Sequence, residues 1–292
     1  MRVELHRHLE GSVRYSTYSA IAREAGIAPV PRRALTVVPG EPRTLPRFLS
    51  KFAPLRGLYP SRAAIERVAR EAVEDAARDG VTYLELRFSP VHFARRMSFD
   101  PVDVAGWIIR SARRAAGAMT VNFLVTLGRD FDARTNAPSL DAAIAHRPAV
   151  VGLDVAGDER ASMRHLEPLL RRGRRAGLRL TVHAGEAGPT VREAVERYGA
   201  ERIGHGVRQP IPGVAYEICL TSNRHTGAWR DLRTHPLRRL FDGGCAVSIN
   251  TDDPAISGID LRHEYRIARR ELGFTRAELE ELNRRALRSA FR

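Results

Sequence analysis

Apolar residues recur along the chain in two alternating patterns, one with a period of two and one with the period of a helix. Short runs rich in β-branched and aromatic residues are typical of buried strands, and eight such runs occur. The predicted strands are residues 3–9, 81–88, 120–127, 150–156, 179–184, 202–205, 216–221 and 246–250. Amphipathic stretches separate most of them, among them residues 61–79, 101–118, 159–176 and 190–198. Strands that alternate with helices predict a parallel α/β fold, and eight units predict a closed (β/α)8 barrel, the TIM barrel.

The segment between the first two predicted strands, residues 10–80, is too long for one loop. Its apolar spacing predicts helices over residues 15–26 and 45–58, which we expect to form a lid over the mouth of the barrel. Two further helices, residues 260–272 and 275–291, are predicted to end the chain. No segment has the composition of a linker, so residues 1–292 are predicted to form a single domain.

The connection between the sixth and seventh predicted strands is unusually short. Only residues 206–215 lie between them, and they include Pro210, Pro212 and Gly213. A parallel crossover normally takes a dozen residues or more and usually contains a helix. We therefore expect this crossover to lack its helix.

The chain is strongly basic, with 48 Lys and Arg residues against 34 Asp and Glu residues and a net charge of +14. Such a balance suits an anionic partner such as nucleic acid. Only Lys51 is a lysine, however, and the arginine runs lie at helical spacing among Leu and Ala, as solvated faces do. No stacking-aromatic motif accompanies them. We therefore expect no specific nucleic-acid partner, and a basic polyanion-binding protein remains the non-enzyme alternative.

The two cysteines, Cys219 and Cys245, lie in apolar surroundings and form neither a C-x-x-C pair nor a disulfide spacing pattern. The first residues contain no apolar signal region, and no apolar run approaches the roughly 18 residues of a membrane span. The sequence therefore predicts a cytoplasmic protein with no membrane partner.

The first predicted strand carries an H-x-H pattern. Because strand side chains alternate, Glu4, His6, His8 and Glu10 are expected to project to one face and Leu5 to the other. Two imidazoles one pleat apart can bind one metal ion. Two polar strand residues that face solvent would give the same pattern, so the motif alone leaves both interpretations open.

Further candidate ligands follow other predicted strands, at the ends where parallel barrels place their active sites. His183 lies at the end of the fifth strand and Glu186 just after it, His205 lies at the end of the sixth, and Asp252 and Asp253 follow the eighth. Two adjacent aspartates at the end of an apolar strand are costly without a cation or donor nearby. These positions favour a metal-dependent site. The remaining histidines are interpreted as surface or packing residues, with His225 nearest the mouth: His92, His146, His165, His225, His235 and His263.

Taken in order, the motifs resemble the adenosine deaminase branch of the metal-dependent amidohydrolases. The resemblance covers nearly the whole chain and implies a zinc-bearing (β/α)8 barrel. The motifs are ELHRHLEGS (4–12), YLELRFSP (83–90), GLDVAGDE (152–159), TVHAGEAG (181–188), RIGHGV (202–207), LTSNRHTGA (220–228) and VSINTDDPAISG (247–258).

The resemblance implies a role for each matching residue. The implied ligands of one zinc ion per chain are His6, His8, His183 and Asp252. A water molecule would take the position left open by these four residues and be activated by the metal. The family match further implies that Glu186 protonates purine N1 and that His205 orients and deprotonates the water.

The resemblance also implies the substrate contacts. Asp253 would accept a hydrogen bond near N7, the backbone N–H of Gly157 would meet N3, and His8 and Glu10 would also contact the substrate. A lysine-bridged two-metal site is excluded because Lys51 lies outside the strands. The zinc deaminases with a P-C-x-x-C motif are excluded because the chain lacks those cysteines.

The identity of the substrate is less closely constrained. Glu10 stands where the nucleoside enzymes of the family carry an aspartate that meets the ribose 5′-hydroxyl. The predicted reaction is hydrolysis of adenosine to inosine and ammonia, in purine metabolism. The alternatives are deamination of aminodeoxyfutalosine in menaquinone biosynthesis, and then of adenine. A PHP-type metal phosphoesterase would need a longer series of His and Asp ligands. The oligomeric state and the native divalent metal are left open.

Overall fold

Eight parallel strands form one sheet whose order follows the chain. The computed structural model describes residues 1–292. The strands are β1 Arg2–His8, β2 Val81–Phe88, β3 Thr120–Gly128, β4 Val150–Ala156, β5 Arg179–Ala184, β6 Arg202–His205, β7 Ala215–Ile218 and β8 Val247–Ile249. A bridge between Arg7 and Asp252 joins the first strand to the end of the last. The predicted eight-stranded barrel is therefore confirmed.

Helices follow most of the strands. They are α1 Tyr15–Glu24, α2 Leu45–Leu49, α3 Arg62–Arg78, α4 Pro90–Ala94, α5 Pro101–Ala115, α6 Ala133–Ala145, α7 Glu167–Arg175, α8 Val191–Glu196, α9 Leu220–His225, α10 Leu237–Asp242, α11 Pro254–Ser257, α12 Leu261–Leu272 and α13 Arg276–Ser289. A 3-10 helix, Ser50–Leu55, continues α2.

Local sequence explains where the longer helices begin. The Ser61 hydroxyl accepts the Ala64 N–H at 3.2 Å at the start of α3, and the Asp260 carboxylate accepts the His263 N–H at 2.7 Å at the start of α12. Each cap satisfies a backbone donor that has no partner within the helix. Thr275 and Glu278 form a reciprocal capping box at the start of α13.

The structure corrects several predicted boundaries. The helix expected over residues 159–176 begins only at Glu167. The strand expected over residues 216–221 ends at Ile218, because the chain turns into α9 at Leu220. Helix α6, between β3 and β4, is not one of the four stretches named from the sequence. Residues 206–214 connect β6 to β7 without a helix, as expected.

The main hydrophobic core is a cluster of 70 buried residues that runs from Leu9 to Leu282, and a second cluster of 5 buried residues includes Val3 and Leu5. The main cluster lies between the barrel and the surrounding helices. This packing fixes the positions of the strand ends, and with them the side chains at those ends. No helix in the structure has the length and apolar character needed to cross a bilayer.

The amino-terminal end of the barrel is closed by the carboxyl-terminal tail and by buried ion pairs. The centroid of the Phe291 ring lies 3.6 Å from Cζ of Arg202, and the backbone N–H of Phe291 donates to Glu85 Oε1. Nε of Arg202 donates to Glu217 Oε1 at 2.8 Å. These contacts hold the Glu217 carboxylate in the barrel interior.

Candidate active site

Three histidines and one aspartate meet inside the carboxyl-terminal end of the barrel. His6 and His8 come from β1, His183 from β5, and Asp252 follows β8. Nε2 of His6 lies 3.1 Å from Asp252 Oδ1, and Nε2 of His8 lies 3.2 Å from Nε2 of His183. Nε2 of His8 is also 3.4 Å from Asp252 Oδ1. The structure therefore brings together all four residues that the sequence identified as ligands.

The chemistry of this donor set fits a cation. Burial lowers the pKa of His183 to about 4, so the ring is neutral at neutral pH. Its Nδ1–H donates to Asp154 Oδ1 at 2.9 Å, which leaves a lone pair on the Nε2 that faces His8. Ligands about 2.1 Å from one ion in a tetrahedron lie roughly 3.4 Å apart, which is close to the three separations of 3.1–3.4 Å given above.

Two carboxylates behind the histidines orient the rings. Asp154 holds His183, and Glu217 Oε2 accepts from Nδ1 of His6 at 2.8 Å. Arg87 joins both carboxylates, with ion pairs of 3.2 Å to Asp154 and 2.7 Å to Glu217. Such partners fix the ring tautomer of a metal-binding histidine. The sequence analysis did not identify these three residues, because no local motif connects β2, β4 and β7.

A bulge in β1 corrects the expected alternation of side chains. Glu4 pairs with Leu84 and Arg7 with Leu86, so two residues of β1 oppose one residue of β2. The Glu4 carboxylate contacts Nη1 of Arg7 at 3.1 Å, away from the two histidines. The expectation that Glu4 shares their face is therefore wrong, whereas His6 and His8 do converge.

Glu186 and His205 lie beside the histidine cluster. Nε2 of His205 is 3.7 Å from Glu186 Oε2 and 3.9 Å from Asp252 Oδ2. His205 is thus farther from Asp252 than His6 or His8 is. Burial raises the pKa of the Glu186 carboxyl above its ordinary value, which favours the protonated form.

Glu159 holds the loop that carries Glu186. Its carboxylate accepts the N–H groups of Gly185 at 2.8 Å, Glu186 at 2.7 Å and Ala187 at 2.5 Å. This explains why residue 159 does not begin a helix: its side chain belongs to the loop after β5. In the sequence, the position of Glu159 in the motif GLDVAGDE is the only indication of this role.

A chain of hydrogen bonds reaches His205 from behind. The Leu237 N–H donates to Nδ1 of His235 at 3.1 Å, so Nε2–H of His235 donates to the Asn223 carbonyl at 3.1 Å. The Asn223 amide then donates to Nδ1 of His205 at 3.0 Å. In the neutral His205 ring the proton therefore lies on Nε2, facing Glu186. The interpretation of His235 as a packing residue misses this connection.

Two glycines allow these side chains to approach closely. A Cβ on Gly11 would lie 1.8 Å from Asp253 Oδ1, and a Cβ on Gly204 would lie 2.9 Å from Cε1 of His6. No larger residue fits at either position without displacing the site.

Glu10 and Asp253 present unpaired oxygens in the cavity. Glu10 Oε2 and Asp253 Oδ1 are buried without a hydrogen-bond partner. Burial raises the pKa of Glu10 to about 7, and burial together with the charge of Asp252 raises the pKa of Asp253 well above its ordinary range. Unpaired buried oxygens are costly, which is consistent with a ligand that hydrogen-bonds to them.

The cavity above the histidines has a volume of about 190 Å³. Gly157 lies in its wall with a φ of 107°, next to the polar cluster. Leu45, Phe48 and Phe52 line its opening, so the segment expected to cover the mouth does contribute to it.

The remaining histidines are not part of the cluster, with one partial exception. Nε2 of His146 contacts the Val102 carbonyl at 2.7 Å, and Nε2 of His165 contacts the Phe131 carbonyl at 2.8 Å. Nδ1 of His225 contacts Ser257 at 3.3 Å. His92, in contrast, lines the cavity, which the sequence analysis did not foresee.

Comparison with known proteins identifies the family. The family model "Adenosine deaminase" matches residues 2–292. An adenosine deaminase from Shewanella denitrificans is 35% identical over 99% of this chain and 93% of its own. A Burkholderia amidohydrolase solved with bound Zn superposes with a TM-score of 0.89 at 25% identity, covering 100% of this chain and 85% of the other. Arabidopsis ADAL complexed with GMP superposes with a TM-score of 0.87 at 27% sequence identity, covering 100% of this chain and 92% of the other. The chain therefore belongs to the adenosine deaminase family and is an aminohydrolase.

Proposed function

We propose that the protein hydrolyses the 6-amino group of adenosine to give inosine and ammonia, with one zinc ion held by His6, His8, His183 and Asp252. The observation that carries this proposal is the chain of contacts that joins the four residues, from His6 to Asp252 at 3.1 Å, from Asp252 to His8 at 3.4 Å and from His8 to His183 at 3.2 Å, beside a buried carboxyl group. The Shewanella relative supports the substrate, and the zinc in the Burkholderia relative supports the metal. When bound, zinc lowers the pKa of a coordinated water to about 7 and so supplies the nucleophile.

Glu186 is the proposed acid of the reaction. Its carboxyl is buried and its pKa is raised, so it can hold a proton and deliver it to purine N1. Protonation of N1 draws electrons from C6 and makes that carbon more electrophilic. The fixed loop geometry that Glu159 imposes keeps this carboxyl in place during the reaction.

His205 is proposed to donate a hydrogen bond rather than to accept a proton. The expectation that it deprotonates water requires a lone pair on Nε2, whereas the Asn223 contact favours a proton on that nitrogen. The Nε2–H would orient the oxygen that adds to C6 and stabilise the charge that develops on it. The proton of that oxygen would then pass to another acceptor, and the Asp252 carboxylate, 3.9 Å from Nε2 of His205, is proposed for this role.

The other implied contacts complete the proposed substrate pocket. Asp253 is proposed to bind N7, the Gly157 N–H to bind N3, and Glu10 to meet the sugar. The unpaired oxygens of Asp253 and Glu10 support these roles. We further propose that residues 1–292 act as one domain with residues 10–80 as the lid, that the protein works in the cytoplasm, and that it has no specific nucleic-acid partner.

The proposal is tested by metal analysis and inosine formation before and after chelation. We expect about one zinc ion per chain, loss of inosine formation on chelation, and recovery when zinc is restored. In Asp252→Ala the metal content should fall. Unchanged metal content in that variant, or undiminished inosine formation by the metal-free protein, would remove the zinc assignment.

A further inference from the structure

A second cavity adjoins the one that contains the histidine cluster. Its volume is about 380 Å³, and Arg56, Ser89, His92 and Phe131 line both cavities. The substrate cavity therefore has a neighbouring chamber on the side of these shared residues.

The second cavity is cationic. Arg56 and Arg95 line it together with the hydroxyls of Ser89, Ser98 and Thr135, and no aspartate or glutamate is present. Each of the other large cavities contains at least two carboxylates. Guanidinium and hydroxyl groups without a competing carboxylate form a surface that suits an oxyanion.

The two arginines are exposed and have no carboxylate partner within the protein. Elsewhere in the chain many exposed arginines pair with a carboxylate, as Arg276 does with Glu280 at 3.0 Å. No carboxylate lies within ion-pair distance of Arg56 or Arg95, so the positive field in this cavity is not neutralised.

The two arginine charges act on His92, which lies in the wall of both cavities. Burial and then the charges of Arg56 and Arg95 lower its pKa to about 4. Its Nε2 is buried and has no hydrogen-bond partner. The neutral ring adds an unpaired polar group to the wall that the two cavities share.

The second cavity adjoins the sugar end of the proposed substrate pocket. The Ser89 N–H donates to Glu10 Oε1 at 2.7 Å, and Ser89 lines both cavities. A nucleoside whose sugar meets Glu10 would thus direct its 5′ position towards Arg56 and Arg95. This step rests on the proposed function, which places the base over the histidines and the sugar at Glu10.

We propose that the second cavity is a subsite for an anionic group at the 5′ position of the substrate, so that acidic 5′-substituted adenine nucleosides are preferred to adenosine itself. The shared chemistry is an oxyanion, carried either as a phosphate monoester or as a carboxylate. The purine and the reacting C6 would occupy the first cavity unchanged.

The test compares kcat/KM for deamination of adenosine, AMP, adenosine 5′-carboxylate and the neutral 5′-methylthioadenosine. The wild-type protein, Arg56→Gln and Arg95→Gln are measured beside the control Arg276→Gln, whose side chain is 91% exposed far from the cavity lining. We expect an anionic substrate to be preferred, and its ratio to adenosine to fall roughly tenfold or more in each cavity variant, as the loss of a charged hydrogen bond predicts. The control should keep the wild-type ratio. Comparison of AMP with the carboxylate identifies which anion is bound.

Failure of the subsite and failure of the proposed function give different results. Efficient deamination of adenosine with no preference for either anion, and the same ratio in both cavity variants, would overturn the subsite alone. Absence of any deamination by the zinc-loaded protein would overturn the proposed function. In that case calorimetric binding of AMP and adenosine to the wild type and to Arg95→Gln still tests the subsite, and equal affinities for the two ligands would overturn it.

Discussion

At the scale of single residues, the chemistry of the site depends on which ring nitrogen of each histidine carries the proton. Asp154 and Glu217 direct His183 and His6, and Asn223 directs His205. Each contact places a lone pair or a proton towards the same point in the cavity. The side chains that could react are thus held by neighbours that do not touch the substrate.

Glu186→Gln tests the proposed acid. The amide keeps the size of the side chain but cannot deliver a proton, so kcat should fall by about 10³-fold, within the usual range for loss of an acid catalyst. Zinc content and the binding of inosine should stay at wild-type values. Steady-state kinetics with metal analysis measure both, and wild-type turnover would remove Glu186 from this role.

His235→Phe tests the hydrogen-bond chain behind His205. Without His235, the Asn223 amide can rotate and the His205 ring loses its fixed tautomer, so kcat should fall by about 10–100-fold, as when other outer partners are lost. KM and zinc content should change little. His235→Gln can still donate to Asn223 and should restore much of the rate, which a purely structural defect would not predict.

A matched control for that variant is His146→Phe, which removes a half-buried histidine that contacts only a backbone carbonyl. It should leave kcat near the wild-type value. Equal losses in the two variants would contradict a specific role for His235, and ring ¹⁵N chemical shifts of His205 would show directly whether its tautomer has changed.

The sequence predicted the reacting residues better than it predicted their partners. His183, Glu186, His205 and Asp252 lie at or just after the ends of strands, and strand ends meet in any parallel barrel. Asn223 and His235 could not be predicted in the same way, because their contact depends on how α9 and the loop before α10 pack. The bulge that turns Glu4 away from the histidines likewise has no signature in the H-x-H motif.

At the scale of elements, the site depends on short connections that hold the strand ends. Helix α9 follows β7 after a single residue, and Thr221 at its start donates from both N–H and hydroxyl to the Glu264 carboxyl of α12. This contact ties the segment that carries Asn223 to the outer helices. The seventh strand was predicted to extend through Thr221, because the β-branched side chain of this residue favours a strand. Its contact with Glu264 cannot be predicted from the sequence.

The Glu264 carboxyl makes stability depend on pH. Burial raises its pKa from 4.5 to about 7. As pH rises through this interval, the unfolded chain loses its proton before the folded protein does. The free energy of unfolding should therefore fall between about pH 4.5 and pH 7, by about 3 kcal/mol at most from this group.

Glu264→Gln removes that titration. The variant should be more stable than the wild type at about pH 8 and gain less at about pH 5, where the wild-type carboxyl is protonated in the folded state. Urea unfolding at the two pH values measures the difference. The same wild-type-to-variant difference at both values would contradict a raised pKa for Glu264.

At the scale of the whole molecule, the barrel has two chemically different ends. The carboxyl-terminal end holds the histidine cluster, and the amino-terminal end is closed by Phe291 over Arg202 and its ion pairs with Glu85 and Glu217. Glu217 links the two ends, because it accepts from His6 as well as from Arg202. The alternation of strands and helices predicted this barrel, and the ten residues after His205 predicted its helix-free crossover. The tail's position over the barrel could not be predicted, since it depends on the whole fold.

Phe291→Ala should destabilise the protein by about 3–5 kcal/mol, because it removes a fully buried ring and admits water to the ion pairs. Deletion of Arg292, which is exposed, is the control and should have little effect. Denaturant unfolding with metal analysis measures the result. A change below about 1 kcal/mol in Phe291→Ala would show that the tail does not close the barrel.

The most direct test of the central claim is ammonia release by protein that carries one zinc ion per chain. The rates for adenosine, AMP, adenine and aminodeoxyfutalosine are compared in parallel, with Glu186→Gln as the inactive reference. We expect ammonia from an adenine nucleoside with kcat/KM of about 10⁴ M⁻¹s⁻¹ or more, and much less from adenine. No ammonia from any of them with zinc in place, or equal rates in Glu186→Gln, would contradict it.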